Sequence, residues 1–394
     1  MDDTLINRLR QETPGCRELI HFNNAGCALS PQPVLDAVME HLQREQQLGG
    51  YEAAEQAADA IDNFYTAMAA LLNARPSEIA WMENSTRAWD MAFHAVDFQP
   101  GDRIVTGQTE YASNLLAMLH MQRRRGVEII IIPNDAEGRI DLEQLERSVD
   151  DRVRLICLTH VASQQGVVQP AAEVGAIAAR HGILFLLDAC QSAGQIPIDV
   201  RQTGCHLLTG SGRKYLRGPR GTGFLYVSSD VTRQLEPPFI DLRAASWVDE
   251  SDFRIREDAA RFENWEAFVA GKIGLAAAVD YALALGMPVI NRRIATLAAS
   301  LRHQLAAMAG VTVYEPLDEA TGIVTFSVGS LSPEKLQAAL RRSRINIGVS
   351  RKATAQVDFS RRGLTVINRA SVHYYNTGEE IDRLLAAIAE SAGN

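Results

Sequence analysis

Continuous apolar runs in the middle of the chain constrain its fold more than any other feature. Residues 128–133, 153–159 and 183–188 are rich in isoleucine, valine or leucine and show no regular alternation of polar and apolar positions. Strands of this kind have both faces buried, as in a parallel sheet between two layers of helices. An alanine-rich helical pattern at 170–181 separates two of the runs, and 222–227 adds another strand. The sequence therefore predicts an α/β domain built on a large, mostly parallel sheet.

The pattern changes after about residue 285. A long helix is expected near 289–308, followed by short strands, a helix that begins with Ser332 and Pro333, and a last helix from residue 378. Short strands mixed with helices predict a smaller α+β domain. We expect an N-terminal arm that packs on the small domain, a large domain and a small C-terminal domain, at residues 1–20, 21–285 and 286–394.

Composition and charge limit the classes of partner. The 394 residues carry a net charge of -9, and the one basic cluster, 123–125, is too short to indicate binding to a nucleic-acid backbone. No apolar run reaches the ~20 residues of a membrane span, and the acidic start does not resemble a signal peptide. The five cysteines are scattered without metal-binding spacing. We expect a cytoplasmic protein with reduced thiols that binds no metal, nucleic acid or membrane.

Two polar segments follow apolar strands in the central region. Asp188 ends the run 183–188, at the edge of a parallel sheet where ligands bind. A carboxylate there can pair with a protonated ring nitrogen, although its position alone is equally typical of a helix N-cap.

The second segment is a glycine-rich turn that carries a lysine. Lys214 lies within 209–223, a stretch with several glycines that also contains Arg213, Arg217 and Arg220. Lysine forms Schiff bases with carbonyl cofactors, and the arginines can meet phosphate or carboxylate. A basic surface loop is the alternative interpretation for the lysine turn taken alone.

Together, the segments resemble a known family. A strand ending in Asp-x-x-Gln, followed by a short strand and Ser-Gly-x-Lys, resembles the class V aminotransferases, also called the cysteine desulfurase family, of fold type I pyridoxal-phosphate (PLP) enzymes. Further segments resemble the family in the same order along the chain, at 21–26, 84–87, 110–114, 159–166 and 368–377. The resemblance implies a large PLP-binding domain followed by a small domain.

The resemblance assigns roles at the cofactor. Lys214 would form the Schiff base and move protons at the substrate α-carbon, and Asp188 would keep the pyridine nitrogen protonated. Gln191 would bond the phenolic oxygen of the cofactor, and Tyr111 would stack on its ring. The phosphate would be held by hydroxyl groups of the phosphate-binding turn and of the lysine turn: Ser85, Thr86 and Ser211.

The resemblance also implies how an amino-acid substrate is held. Arg369 looks like the arginine that grips the α-carboxylate in a bidentate pair. Asn24 lies in the segment that enters the substrate pocket. The segment 261–266 reaches the neighbouring subunit's site in the family, which implies a homodimer with a shared active site. Trp265 within it is equally consistent with plain interface packing.

The chain departs from cysteine desulfurases at one segment. The stretch 348–359 corresponds to the loop that carries the nucleophilic cysteine in that family, and it contains no cysteine. We expect Cys190 and Cys205 to be buried small residues. Arg213 also replaces the usual histidine before the lysine, and 213–223 looks more like carbon–sulfur lyases and isopenicillin-epimerase-like proteins.

These observations favour one reaction among several. A carbanion at the α-carbon can eliminate a β-leaving group, be reprotonated at the α-carbon with inversion, or be protonated instead at the C4′ carbon of the cofactor, which leads to transamination. We expect β-elimination from a cysteine-type substrate. An amino-acid epimerase or aminotransferase is the alternative, and a desulfurase or a non-catalytic PLP-fold protein is disfavoured.

Overall fold

The larger sheet follows the predicted parallel arrangement. The structure is a computed structural model that describes residues 1–329 and 331–393. The sheet has seven strands, which lie in the spatial order β2 (Ile79–Met82), β8 (Gly223–Val227), β7 (Leu207–Ser211), β6 (Leu184–Asp188), β5 (Val153–Thr159), β3 (Arg103–Gly107) and β4 (Glu128–Ile132). Within this sheet β8 runs against its two neighbours and the remaining pairs are parallel. The predicted α/β class with a mostly parallel sheet is confirmed.

Helices cover both faces of this sheet. Successive strand residues such as Leu186 and Leu187 are fully buried in two different apolar clusters, so each face has its own core. The helices of this half of the chain, of which all but α2 and α3 contribute buried residues to one of the two clusters, are α1 (Asp3–Gln11), α2 (Gln32–Leu48), α3 (Gly50–Gln56), α4 (Ala58–Leu72), α5 (Ser85–His94), α6 (Ala112–Arg125), α7 (Leu142–Ser148), α8 (Ala171–Arg180), α9 (Val200–Thr203) and α10 (Val269–Leu285). This two-sided burial explains why the strands show no polar–apolar alternation.

A smaller sheet forms the second unit. Its five strands, in spatial order, are β1 (Ile20–Phe22), β13 (Ile345–Arg351), β14 (Val366–Ser371), β12 (Ile323–Val328) and β11 (Val311–Val313). Its helices are α11 (Met287–Ala307), α12 (Pro333–Arg342), α13 (Gln356–Arg361) and α14 (Gly378–Gly393). A separate hairpin joins β9 (Ala245–Asp249) to β10 (Asp252–Ile255). The Ser332 side chain caps α12, as the sequence predicts.

The N-terminal segment lies with the C-terminal unit. Ile20 pairs with Ile345 and Phe22 with Ile347, so β1 extends the small sheet. The predicted boundary between residues 20 and 21 therefore crosses a strand, and the large unit is better started after Phe22. We retain the division into arm, large unit and small unit as a proposal.

Helices α10 and α11 meet at the other proposed boundary. They are separated by Gly286, whose φ of 84° lies in a region of backbone conformation that favours glycine. Among the residues that the structure describes, no single helix is long and apolar enough to span a bilayer. Only α10 and α11 taken together meet that length and composition, and an 81° bend separates them.

Arg217 joins the N-terminal arm to both units. Its side chain is 1% exposed, and it donates to Thr13 Oγ1 at 2.6 Å, to Tyr374 Oη at 2.7 Å and to the Leu29 carbonyl at 2.8 Å. Its guanidinium group lies 4.6 Å from the centre of the Tyr375 ring. Arg217 therefore has a structural role. The contact with phosphate or carboxylate that the sequence suggested for it is corrected, because its guanidinium group already bonds within the protein.

We expect Arg217→Met to lower the free energy of unfolding by about 3 kcal/mol, because two buried acceptors and one partly buried acceptor lose a charged donor. Denaturant unfolding measures this change. Arg220→Met in the same loop is the control, since Arg220 is exposed. Equal stability of the two variants would contradict the structural role.

Candidate active site

A cavity of about 220 Å³ lies against the last residues of three neighbouring parallel strands, Thr159 of β5, Asp188 of β6 and Ser211 of β7. This edge of an open α/β sheet is where ligands bind. Seven of the nine residues predicted for the site line the cavity: Ser85, Thr86, Tyr111, Asp188, Gln191, Ser211 and Lys214. The fold therefore brings together side chains that are far apart in the sequence.

Lys214 lies in a tight turn that follows β7. Its side chain is 8% exposed and lines the cavity. The turn requires Gly212, where an added Cβ would lie 2.1 Å from Thr222 Oγ1. The backbone of Gly212 bonds to Thr222 and to Gly218, which closes the turn. A buried amine beside a cavity is the nucleophile available to a carbonyl compound bound there.

Asp188 is oriented by two hydrogen bonds. Its Oδ1 accepts from the Cys190 backbone N–H at 2.8 Å, and its Oδ2 accepts from Asn114 Nδ2 at 2.8 Å. The residues that follow form turns, so the alternative of a helix N-cap does not apply. Burial raises the pKa of Asp188, while these two hydrogen bonds and the charge of Lys214 lower it. A cationic ring nitrogen placed here would meet a carboxylate that is held in position.

Another part of the cavity lining carries groups that bind an anion. Helix α5 begins at Ser85, and the Asn84 side chain caps it by accepting from the Arg87 N–H at 2.9 Å. Ser85 and Thr86 thus lie in the first turn of a helix of 10 residues, whose free N–H groups and dipole favour negative charge. Ser211 adds a hydroxyl group from β7. Three hydroxyl groups and a helix N-terminus form a phosphate-binding set.

The lining as a whole fits pyridoxal phosphate. It supplies an amine for the aldehyde, a carboxylate for the ring nitrogen and the phosphate-binding set described above. Tyr111 is 38% exposed, so a face of its ring is open to stacking. Gln191 donates to the Ala25 carbonyl at 3.0 Å, while its Oε1 is buried without a partner among the described residues. A buried polar atom without a partner is expected where a bound ligand would supply the missing hydrogen bond.

Asn24 does not line the cavity. Its side chain is fully buried, and it donates to the Ser371 carbonyl at 2.7 Å and accepts from the Tyr375 hydroxyl group. The amide therefore joins the N-terminal loop to the small unit. The substrate contact predicted for Asn24 is corrected, because both ends of its amide are engaged in this joint.

Arg369 lies beside the cavity, not in its lining. It donates to the Ser163 carbonyl at 3.1 Å and to Asn23 Oδ1 at 3.2 Å, and Ser163 is itself a lining residue. Its Nε has no partner, and its charged neighbours among the described residues include no carboxylate. A guanidinium group without an acid beside an active-site cavity is available to a substrate carboxylate.

Several lining residues were not identified from the sequence. Asn114 is the third residue of α6, and its bond to Asp188 depends on the fold. Its presence in the segment 110–114 was the available signal. Cys190 is half-buried and lines the cavity, whereas Cys205 is buried and burial raises its thiol pKa to about 12. The expectation of a buried small residue therefore fits Cys205 but not Cys190.

Replacing Lys214 tests the cofactor site directly. We expect Lys214→Ala to lose the visible absorption band of the lysine-bound cofactor, because no amine remains for the aldehyde. Lys272→Ala is the control, since Lys272 is also buried but donates to Tyr65 outside the cavity. Absorption spectra after addition of pyridoxal phosphate separate the variants, and an unchanged band in Lys214→Ala would refute the assignment.

Comparisons with known proteins agree with this fit. The family model described as aminotransferase class-V matches residues 20–384. The probable cysteine desulfurase of Methanothermobacter thermautotrophicus is 30% identical over 393 residues, which cover 98% of each chain. The apo structure of the cysteine desulfurase from Thermococcus onnurineus NA1 superimposes with a TM-score of 0.91 at 28% identity, again over 98% of both chains.

A carbon–sulfur lyase shares the same architecture. The cystine C–S lyase C-DES, solved with its reaction product cysteine persulfide, has a TM-score of 0.88 at 24% identity, covering 96% of this chain and 99% of that one. This likeness concerns the fold alone. The family match across most of the chain, with the lysine and carboxylate in one cavity, leads to a single conclusion: the chain belongs to the class-V aminotransferase family and is a PLP-dependent enzyme of fold type I.

Proposed function

We propose that this enzyme is a carbon–sulfur lyase that acts on a cysteine-type amino acid by β-elimination. The substrate R–S–CH2–CH(NH3+)–COO- and water would yield pyruvate, ammonium and the thiol R–SH. Bound pyridoxal phosphate supplies an electron sink for the carbanion that forms when the α-hydrogen leaves. The residues of the chain would bind the substrate and move the protons.

The family resemblance implies a role for each residue, and the contacts at the cavity support these roles. The Lys214 amine would take the α-proton and return a proton to the products. Asp188 would hold the ring nitrogen in its protonated form, because its carboxylate is buried and oriented. Arg369 would bind the α-carboxylate, since its guanidinium group lacks an acidic partner among the described residues. Gln191 and Tyr111 would contact the ring, and the hydroxyl set would hold the phosphate.

One observation carries the choice of elimination. The segment 348–359, which resembles the cysteine-bearing loop of desulfurases, has no cysteine and is a folded part of the small unit. It contains the end of β13, a short turn of helix and most of α13. The Lys352 N–H donates to the Thr365 carbonyl at 2.8 Å, which fixes the turn against the next strand. A lyase needs no enzyme thiol, whereas transfer of sulfur to the enzyme needs one, and this segment offers none.

A cysteine desulfurase that uses Cys190 is the second candidate. The relatives are named as desulfurases, and Cys190 is the cysteine that lines the cavity. In this reaction the sulfur of cysteine would pass to the Cys190 thiolate and leave alanine. Epimerisation and transamination begin with the same loss of the α-proton, and they remain alternatives from the sequence.

Product analysis of Cys190→Ala against the unchanged enzyme separates these candidates. We expect pyruvate and ammonium from cystine or an S-substituted cysteine, at rates that agree within about twofold, because elimination needs no enzyme thiol. Pyruvate, ammonium and alanine would be quantified after addition of each substrate to the PLP-loaded proteins.

Three other results would overturn the lyase proposal. Alanine formation that is lost in Cys190→Ala would establish a desulfurase. A keto acid that retains the side chain would indicate transamination, and a racemised amino acid would indicate an epimerase. Cys27→Ala is the matched control, because Cys27 is also a half-buried free cysteine but is not among the residues that line the cavity.

Arg369→Ala tests the carboxylate contact. We expect KM for the amino acid to rise by roughly 10- to 100-fold, because a charged hydrogen bond contributes about 1.5–3 kcal/mol. Arg351→Ala is the control, since Arg351 is an exposed arginine of the same sheet. Steady-state kinetics measure both, and an unchanged KM in Arg369→Ala would remove this residue from substrate binding.

We also propose that the enzyme is a cytoplasmic homodimer. Tyr51 and Trp265 are 75% and 58% exposed, and both line a second cavity of about 580 Å³ that shares no residue with the cavity at Lys214. Exposed aromatic side chains of this kind favour a protein interface. In the resembling family this segment reaches the neighbouring subunit. The five cysteines are all unpaired, which supports a reducing compartment.

A further inference from the structure

Glu110 is a second buried carboxyl group, behind the residues that line the cavity. It lies just before α6 and is 6% exposed. Its Oε1 accepts from the Tyr111 N–H at 2.8 Å and from the hydroxyl group of Thr159 at 2.5 Å. Its Oε2 accepts from Thr106 Oγ1 at 2.8 Å. A buried carboxyl group that accepts this many hydrogen bonds is held in a defined position.

One amide nitrogen joins Glu110 to Asp188. Asn114 Nδ2 donates to Glu110 Oε1 at 2.9 Å and to Asp188 Oδ2 at 2.8 Å. An amide nitrogen carries two hydrogens, so both are committed. If the amide were turned around, its carbonyl oxygen would face the oxygens of both carboxyl groups. The two carboxyl groups therefore hold Asn114 in a single orientation.

We propose that Glu110 is a positioning residue, which holds Asn114 so that Asn114 orients the Asp188 carboxylate toward the ring nitrogen of the bound cofactor. Without the Glu110 contact, the Asn114 amide would be free to rotate, and Asp188 Oδ2 would lose a fixed donor. Among the described residues, the Asp188 side chain would then keep one hydrogen bond, from the Cys190 N–H to its other oxygen. This inference rests on the role proposed for Asp188, and it is independent of whether the enzyme is a lyase.

The role does not require an ionised Glu110. Burial raises the pKa of Glu110, as does the charge of Asp188, whereas hydrogen bonds from Thr159, Asn114 and Thr106 lower it. The contact that matters ends on Oε1, which can accept from Asn114 in either state. If Oε2 carries a proton, it can donate to Thr106 instead of accepting. A glutamine amide, with its oxygen in the place of Oε1, should therefore replace the carboxyl group.

Cofactor affinity of matched variants tests the proposal. We expect Glu110→Met to raise the Kd for pyridoxal phosphate about tenfold, because the charged Asp188 carboxylate loses a fixed hydrogen-bond donor. Glu110→Gln should stay within about threefold of the unchanged protein, because it restores the acceptor. Titration of the cofactor-free proteins, followed by absorbance, measures each Kd.

Glu315→Met is the control for a merely structural effect. Glu315 is also a buried carboxyl group, and it accepts from the Thr325 N–H at 2.7 Å and lies outside the cavity lining. We expect this variant to lower the melting temperature and leave the Kd unchanged. If Glu110→Met binds the cofactor within threefold of the unchanged protein, or if Glu315→Met weakens binding equally, the proposal is overturned.

A double variant shows whether Glu110 acts through Asn114. Asn114→Ala alone should raise the Kd by a similar factor, and Glu110→Met should add nothing in that background. Multiplied effects would overturn the proposal. Asn114→Ala also serves if Glu110→Met does not fold. Asp188→Asn reports separately on the role of Asp188: if it leaves the Kd unchanged, that role fails first.

Discussion

The buried carboxylate of Asp188 is the constraint on which the rest of the site depends. A buried charge is costly unless it is hydrogen-bonded and faces an opposite charge. The parallel register determines where Asp188 lies, level with Thr159 of β5 and Thr209 of β7. The Cys190 N–H and the Asn114 amide then satisfy one oxygen each. Lys214 follows β7 and brings the compensating positive charge to the same edge.

The N-terminal loop at residues 23–26 contacts several side chains at or beside this edge of the sheet. The carbonyl group of Ala25 accepts from Gln191, that of Gly26 accepts from Arg213, and Asn23 Oδ1 accepts from Arg369. Gln191 and Arg213, which line the cavity, and Arg369 beside it thus contact one short loop. Because β1 also extends the small sheet, this loop connects the small unit to the cavity. Arg217 ties the N-terminal segment to the rest of the chain with two buried hydrogen bonds, to Tyr374 and Thr13, and a partly buried one to Leu29.

The sequence was sufficient where local pattern decides structure. The apolar runs predicted the parallel strands, because a strand that is buried on both faces is apolar without alternation. Asp188 and Lys214 were identified from short spacings that place both at strand ends. The cofactor followed from the resemblance that these spacings carry, and the family match supports it.

Other features depend on contacts that no local pattern records. Asn24 turns toward the small unit while its neighbour Asn23 faces Arg369, and adjacent loop residues give no signal of which way each points. Arg217 looks like one more basic residue of a surface loop, yet its partner Thr13 lies 204 positions away. Glu110 reads as an ordinary glutamate before a helix. A three-residue strand such as β1 is too short to predict its pairing with residue 345.

The most direct test of the proposed cofactor site is a crystal structure of the protein loaded with pyridoxal phosphate. We expect continuous density from the Lys214 Nζ to the cofactor, with the ring nitrogen about 2.7–2.9 Å from an Asp188 oxygen. The phosphate would lie at the first turn of α5, beside Ser85 and Thr86. Cofactor density elsewhere, or a ring nitrogen turned away from Asp188, would contradict the assignment.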